Sequence, residues 1–381
     1  MSTTSPARDR PQSQRQVAAL PVIDCDIHNE FRDFRSDVLP FLAPQWKHYI
    51  TNRGFNGISM RPYALWQGPD RLDTMQSDGS RGSAHWDVLK RQHLDAWNIE
   101  YAVMTGAAAG LAINYLAQHE WATALASAAN DWAIANWLER DPRIRGSILL
   151  AAQQPEAAAR EIDRCAEHPS VIQVILPTRS PGGVAWSDEK YDPIWAAAER
   201  NNLVVGFHLN ADGGNVGPPT TAGWPRSFME LTTSYVIPAQ SELIGLVCRG
   251  VFERFPTLKV VSVENGFGWF PSLIWRMDKH WRELRAEVPW LRRKPSDYAR
   301  DHIRFTTQPM EEPDNPKHLL QIIDMMGSDE MLLFSTDYPH WNFDSPVRSL
   351  PALIPHDLKR KILAENARSF YGLPAARDSH R

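Results

Sequence analysis

Cysteine is scarce in this 381-residue chain: Cys25, Cys165 and Cys248 lie far apart and form no CxxC pair. A disulfide framework is therefore not expected, which suits a cytoplasmic protein. No run of about 18 apolar residues occurs, so no membrane-spanning helix is expected. An excess of positive charge is also missing. Forty-one Lys and Arg against 45 Asp and Glu leave a net charge of −4, which offers no field for nucleic acid or an anionic membrane. The first residues have no apolar stretch of about 7–15 residues, so no secretory leader is expected. No glycine-rich phosphate loop follows the first apolar run, which argues against an open dinucleotide-binding sheet.

What is present is an ordinary globular composition, 43% hydrophobic and 23% charged, with an unusually high count of 15 Trp. Short apolar runs alternate with helical patterns. The runs are 20–26 (LPVIDCD), 99–105, 144–152, 171–177 (VIQVILP), 203–210 (LVVGFHLN), 258–264 (LKVVSVE), 302–307 (HIRFTT) and 331–337 (MLLFSTD). Helical patterns fall at 89–97, 113–140, 155–168, 191–201, 227–255 (broken at Pro238), 269–284, 316–326 and 359–370. Eight strand candidates alternating with helices predict an α/β fold, a (β/α)8 TIM barrel. Its body is expected over 20–373, after an arm at 1–19 that is disordered or lies on a partner, and before a tail at 374–381. Two long interruptions, 31–87 and 211–226, are expected as insertions over the C-terminal mouth, where active sites of such barrels sit.

Polar residues gather at the ends of the runs. Side chains two apart on a strand point the same way, so Asp26 and His28 are expected to project together. His208 ends the fifth run, Glu264 the sixth and Asp337 the eighth, with His340 just beyond. A lone His or Asp at a strand end is commonly a satisfied structural residue or a cap. Imidazoles and carboxylates from several strand ends, converging on one point, are better explained by a divalent cation. Asn210, Arg304 and Trp341 are candidates for substrate contact. The alternative for Arg304 is a structural salt bridge. Trp224 and Trp269 could also pack on a planar ligand, Trp269 more readily as core. His85, His93 and His119 show no feature that sets them apart from surface histidines.

The motifs DxH on the first run, GFH on the fifth, ENGFGWFP on the sixth and STDYPH on the eighth resemble the amidohydrolase superfamily. The branch is the amidohydrolase-related group with aminocarboxymuconate semialdehyde decarboxylase and γ-resorcylate decarboxylase. RGVFERFPTLKV and ILAENARSFYGL resemble its helix signatures, and the resemblance spans residues 22–373. It implies that Asp26, His28, His208 and Asp337 hold the metal, and that Asp337 also orients or deprotonates bound water. Dinuclear relatives carry a carboxylated Lys on strand four. Residues 171–177 contain none, so one ion is expected. Decarboxylases of the branch usually have a His where this chain has Glu264. That Glu is expected to act as an acid or base, to orient His208, or to sit in a salt bridge to an arginine such as Arg304; His340 could stand in for the missing His.

A site of two imidazoles and two carboxylates suits Zn²⁺, the first choice on affinity, or Mn²⁺. Two reactions on a small, cyclic or aromatic substrate follow. In hydrolysis, the expectation favoured here, metal-bound water is activated by Asp337 and the leaving group is protonated by Asp337, Glu264 or His340. In non-oxidative decarboxylation the ion binds the substrate carboxylate while an acid protonates the ring. Hydration, and a non-catalytic metal-binding scaffold, are further alternatives. The resemblance also implies a homodimer, with the arm or residues 227–255 at the interface.

Overall fold

The apolar runs assemble into a closed ring of strands. The computed structural model of the protein describes residues 20–53, 70–106, 108–209 and 223–375. Eight parallel strands follow in the sheet the order they have in the chain: β1 (Val22–Ile27), β2 (Ile99–Met104), β3 (Ile144–Leu149), β4 (Val171–Pro177), β5 (Val204–His208), β6 (Lys259–Val263), β7 (Ile303–Thr306) and β8 (Leu332–Leu333). Backbone hydrogen bonds join the last strand region to the first. Cys25 N–H donates to Phe334 O at 2.9 Å, Asp337 N–H to Asp26 O at 3.0 Å and His28 N–H to Tyr338 O at 2.8 Å. The (β/α)8 barrel is the fold of this chain.

The strands read as near-continuous apolar runs because both of their faces are covered. Ile23, Cys25, Val103, Val204, Val261, Val263 and Leu333, from strands all around the ring, pack into one cluster with Phe370 and Tyr371 of the last helix. This cluster fills the lumen toward the end where the strands begin: Lys259, the first residue of β6, donates its Nζ to Phe370 O at 3.0 Å. Gly206 on β5 keeps room there, since a Cβ would come within 2.8 Å of Ile175 Cδ1. Helices cover the outside through one apolar stripe each. Helix Pro155–Cys165 starts on a proline that needs no N–H partner, and buries Ala158, Ala159, Ile162 and Cys165.

Several expected boundaries shift for identifiable reasons. β8 covers two residues rather than the seven of 331–337. Phe334 N–H leaves the ladder for Ile362 O at 3.0 Å, and Asp337 takes a left-handed φ of 58°. The 227–255 pattern becomes helices Phe228–Ser234, Val236–Cys248 and Val251–Arg254. The first break falls at Tyr235 rather than Pro238, which sits in the first turn of the second helix, where a missing N–H costs nothing. The arm at 1–19, residues 376–381 of the tail, and residues 54–69 and 210–222 of the mouth segments lie outside the described residues. Among the described residues no helix is long and apolar enough to cross a membrane.

Candidate metal centre at the barrel mouth

Four strand ends bring their polar residues to one buried place. His28 Nε2 lies 3.4 Å from Asp26 Oδ1 and 3.0 Å from Asp337 Oδ1. His208 Nε2 lies 3.7 Å from Asp26 Oδ1 and 3.6 Å from Glu264 Oε2. One ligand atom from each of Asp26, His28, His208 and Glu264 falls within a mutual 4.8 Å, and so does one from each of His28, Asp337 and His340. Of the expected site residues, Asp26, His28, His208, Asp337, Glu264 and His340 therefore come together.

Local structure explains how the side chains are aimed. β1 slips in register against β2 between Asp24 and Ile27. Strict alternation would send Asp24 the way of Asp26. Instead Asp24 accepts from Thr336 N–H at 2.9 Å and meets His93 Nε2 at 2.7 Å, while Asp26 turns to His28. Glu264 and Asp337 hold φ values of 59° and 58°. Non-glycine residues rarely occupy this region, and strain of this kind is kept where surrounding structure enforces it.

The imidazoles are oriented as metal-binding ones would be. His28 Nδ1 is 3.0 Å from Gly106 O, and His208 Nδ1 is hydrogen-bonded to Leu209 O. A ring that donates from Nδ1 to a carbonyl presents Nε2 as a lone pair. Both Nε2 atoms, together with Asp26 Oδ2, are buried and without a hydrogen-bond partner. Asp337 Oδ1 is 2.6 Å from His340 Nδ1, at an angle that leaves it too without a hydrogen bond. Each such buried orphan costs about 1–3 kcal/mol. One divalent cation would satisfy all of them, so the residues present fit a metal.

Electrostatics divide the groups. Burial pushes the Asp26 carboxyl up, but His28 and His208 outweigh it and hold it at about 2. Burial pulls His28 down, and Asp26 and Asp337 overcome this to lift it to about 10. Burial raises Asp337 to about 6 against the pull of His28. Glu264 is driven well above the usual carboxyl range by burial and then by Asp337. His340 is held well below the usual imidazole range by burial and by His28, on which its ring stacks at 4.2 Å.

Arg304 is not part of this site. It is the second residue of β7, at the end away from the mouth. Its guanidinium donates to Arg300 O at 2.7 Å and Ile303 O at 3.0 Å, reaches Glu330 Oε2 at 3.3 Å, and lies 4.8 Å over the Phe370 ring. The structural salt bridge, and not substrate contact, is what its position supports, and its partner is Glu330 rather than Glu264. Trp341 is 59% exposed, on the rim of a cavity of about 550 Å³ also lined by Arg71, Phe343, Asp344 and Arg348. Trp224 is exposed, and Trp269 packs with Phe305. Asn210 lies outside the described residues.

Some contributors went unread in the sequence. Thr105 Oγ1 donates to Asp26 Oδ1 at 2.6 Å, and Gln308 Nε2 to Asp337 Oδ2 at 3.3 Å. Both directly follow or lie just beyond a strand, which is the signal they carried. His93 is fully buried rather than a surface residue. Its spacing of four from Leu89 placed it on the apolar side of its helical segment.

Comparisons with known proteins agree with the geometry. The profile of the family described as amidohydrolase matches residues 23–373. A γ-resorcylate decarboxylase of Rhodococcus jostii (strain RHA1) is 26% identical over 301 residues, covering 72% of this chain and 86% of its own length. The crystal structure of 5-carboxyvanillate decarboxylase from Sphingomonas paucimobilis superposes with a TM-score of 0.66 at 21% identity, over 93% of this chain and 100% of that one. A dihydroxybenzoic acid decarboxylase from Polaromonas sp. JS666, solved with bound manganese and the inhibitor 2-nitroresorcinol, gives 0.62 at 19% identity, over 95% and 100%. With the profile running through every strand from β1 to β8, this chain belongs to the amidohydrolase family.

Proposed function

We propose that the protein is a carboxy-lyase that removes the carboxyl group of a small aromatic acid without oxidation, at one divalent ion held by Asp26, His28 and His208. The observation that carries this reading is the set of buried, unpartnered atoms of Asp26, His28 and His208 with the Asp337 carboxyl beside them. The relatives named as decarboxylases weigh for carboxyl removal over the hydrolysis favoured from the sequence.

When bound, the ion would supply a Lewis acid that draws charge from the substrate. Asp337 then delivers its proton to the ring carbon that bears the carboxylate. The carbon–carbon bond to the carboxylate breaks, its electron pair restores the aromatic ring, and CO₂ leaves. Gln308 fixes Asp337 from one side, and His340, held neutral, lies against its other oxygen. The buried setting keeps Asp337 protonated long enough to serve as an acid. Manganese suits an oxygen-rich donor set, and zinc binds the same ligands.

The test is turnover of Mn²⁺- and Zn²⁺-loaded protein on a panel of hydroxybenzoates and their methoxy analogues, with CO₂ release measured beside hydrolysis of lactones and amides. CO₂ release at one equivalent per equivalent of decarboxylated arene is the expected result. Hydrolysis without CO₂ release would return the assignment to the hydrolysis expected from the sequence.

A further inference from the structure

We infer that Asp70 and Ser83 form a polar subsite beside the metal centre, one that receives a hydrogen-bond donor, a hydroxyl or amino group, on the substrate ring. The kind of acid this selects rests on the carboxy-lyase reading, whereas the subsite itself needs only a ligand at the mouth.

Both residues come from the long segment between β1 and β2. Residues 70–84 of that segment are tied to two strand ends of the centre. Arg71 N–H donates to Pro339 O at 2.8 Å, and Glu30 N–H, two residues past His28, donates to Ser83 O at 2.9 Å. The segment is also held to itself. Thr74 Oγ1 donates to Arg71 O at 2.7 Å, and Ser83 N–H to Asp70 Oδ2 at 3.0 Å. Gly82 lets its two halves close, because a Cβ there would fall 2.4 Å from Thr74 Cβ. Asp70 and Ser83 are therefore fixed before any ligand arrives.

The direction of Asp70 follows from strand geometry. Asp70 and His340 form an isolated antiparallel bridge. Residues opposite each other in such a bridge project to the same side, with Cβ atoms ~4.5–5.5 Å apart. His340 points at the centre: its ring stacks on His28 at 4.2 Å, and its Nδ1 lies 2.6 Å from Asp337 Oδ1. Asp70 thus projects on the side of the His340 ring. Arg71 beside it pairs with Asp73 and His340 with Asp337, and no ion pair among the described residues includes Asp70.

Asp70 is 4% exposed and Ser83 2%. Asp70 spends Oδ2 on Ser83 N–H, while its Oδ1 and Ser83 Oγ have no hydrogen-bond partner. Buried polar atoms are normally satisfied, and an orphaned carboxylate oxygen is among the costliest exceptions. Two orphans on hydrogen-bonded residues, at the side of a site, mark a place for a polar group the chain does not supply. An ionised carboxylate only accepts, so the group that fits is a donor, and the Ser83 hydroxyl can accept from it or donate to it. A methyl ether would leave Asp70 Oδ1 unpaired, which a hydrogen-bonding site penalises strongly. Like charge also turns the substrate carboxylate away from Asp70 and toward a cation. For the acid of the proposed reaction, this selects rings that carry a free hydroxyl or amino group.

The experiment is isothermal titration of the full-length, Mn²⁺-loaded protein with resorcinol and with 3-methoxyphenol, which differ by one methyl group and carry no carboxylate to lose. Wild type, Asp70→Asn and Ser83→Ala are compared. Asparagine keeps its carbonyl oxygen on Ser83 N–H and turns an NH₂ donor to the ligand. Wild type should favour resorcinol by about 10-fold or more, and Asp70→Asn should bring the ratio to about one or below. Ser83→Ala should lower the ratio about threefold. A wild type that binds the two phenols alike, or an Asp70→Asn variant with the wild-type ratio, overturns the subsite. So does loss of Mn²⁺ uptake in Asp70→Asn, which would make Asp70 part of the ion's support. Should Asp70→Asn fail to fold, an unchanged ratio in Ser83→Ala overturns it. Turnover separates the two readings. A resorcinol preference that Asp70→Asn abolishes, with no CO₂ released from any hydroxybenzoate, keeps the subsite and removes the carboxy-lyase. CO₂ release with the ratio unmoved removes the subsite alone.

Discussion

Arg304 and Glu264 are equally buried, 9% exposed each, on adjacent strands of the barrel. At the base of the ring, Arg304 spends its donors on two carbonyls and Glu330 and packs on Phe370. Nearby, Arg368 is paired with Glu100 through two contacts of 2.6 Å. At the mouth, Glu264 lies 3.6 Å from His208 Nε2, an atom that has no hydrogen-bond partner of its own. Burial alone therefore does not mark a functional residue. The base shows buried charge neutralised from within the chain, and the mouth shows buried charge arranged for something the chain does not contain.

The strongest way to break that contrast is to remove a mouth ligand. His208→Ala should reduce bound metal from about one ion per chain to a trace and abolish turnover, because three ligands do not replace four at a buried mononuclear site. Metal content by mass spectrometry checks this. A metal-induced rise in melting temperature, present in wild type and absent in the variant, gives a second readout. Full metal occupancy in His208→Ala would show that the ion is held elsewhere than by this cluster.

Next in size is Asp337→Asn, which separates binding from chemistry at the mouth. It should keep the ion yet lose about 10²–10⁴-fold in kcat, the usual contribution of a positioned acid. A matching loss of metal would make Asp337 a ligand first and a proton carrier second.

The sequence disclosed the ring more fully than the site. Strands of a parallel barrel are apolar on both faces, so all eight were visible as runs, and β4 matched residue for residue at Val171–Pro177. The candidate ligands at strand ends were visible for the same reason: Asp26, His28, His208 and Asp337 interrupt those runs where the mouth begins. What stayed hidden depends on backbone conformation. The register slip that separates Asp24 from Asp26 and the left-handed turn that aims Glu264 leave no periodic trace. Nor does a run of six residues tell which end of a strand Arg304 occupies. The structural β7 starts at Ile303, so Arg304 lies at the base. For His93 the spacing from Leu89 marked a buried face, and what stayed hidden was its partner, Asp24, 69 residues away.

A third comparison lies between the mouth and Glu242, a carboxylate in a mostly apolar crevice between helix Val236–Cys248 and the strands, lined by Phe207, Leu243, Trp269 and Phe305. Burial raises its pKa from 4.5 to about 7, although the Trp186 N–H opposes the shift. Between those values the folded state holds a proton that the unfolded state has released. Stability therefore falls as pH rises through that window, and the penalty is complete above about pH 7. Below the ordinary value both states are protonated and the penalty is absent. Glu242→Gln should add about 2 kcal/mol at pH ~8.5 and close to nothing at pH ~4, measured by denaturant unfolding. Equal effects at both pH values would assign the gain to packing.

The smallest effect is expected from Arg304→Met, and it tests the base directly. Methionine keeps much of the aliphatic bulk over Phe370 and removes the guanidinium. Glu330 is 62% exposed and stays solvated when its partner is lost, so the ion pair contributes little. A loss of about 1 kcal/mol is expected, most of it from the hydrogen bonds to Arg300 O and Ile303 O. Metal affinity and kcat/KM should stay within about twofold of wild type, since the side chain points away from the mouth. A drop of ~100-fold in kcat/KM with stability unchanged would return Arg304 to the substrate-binding role expected from the sequence. It would also mean that a charge satisfied within the chain can still serve the reaction.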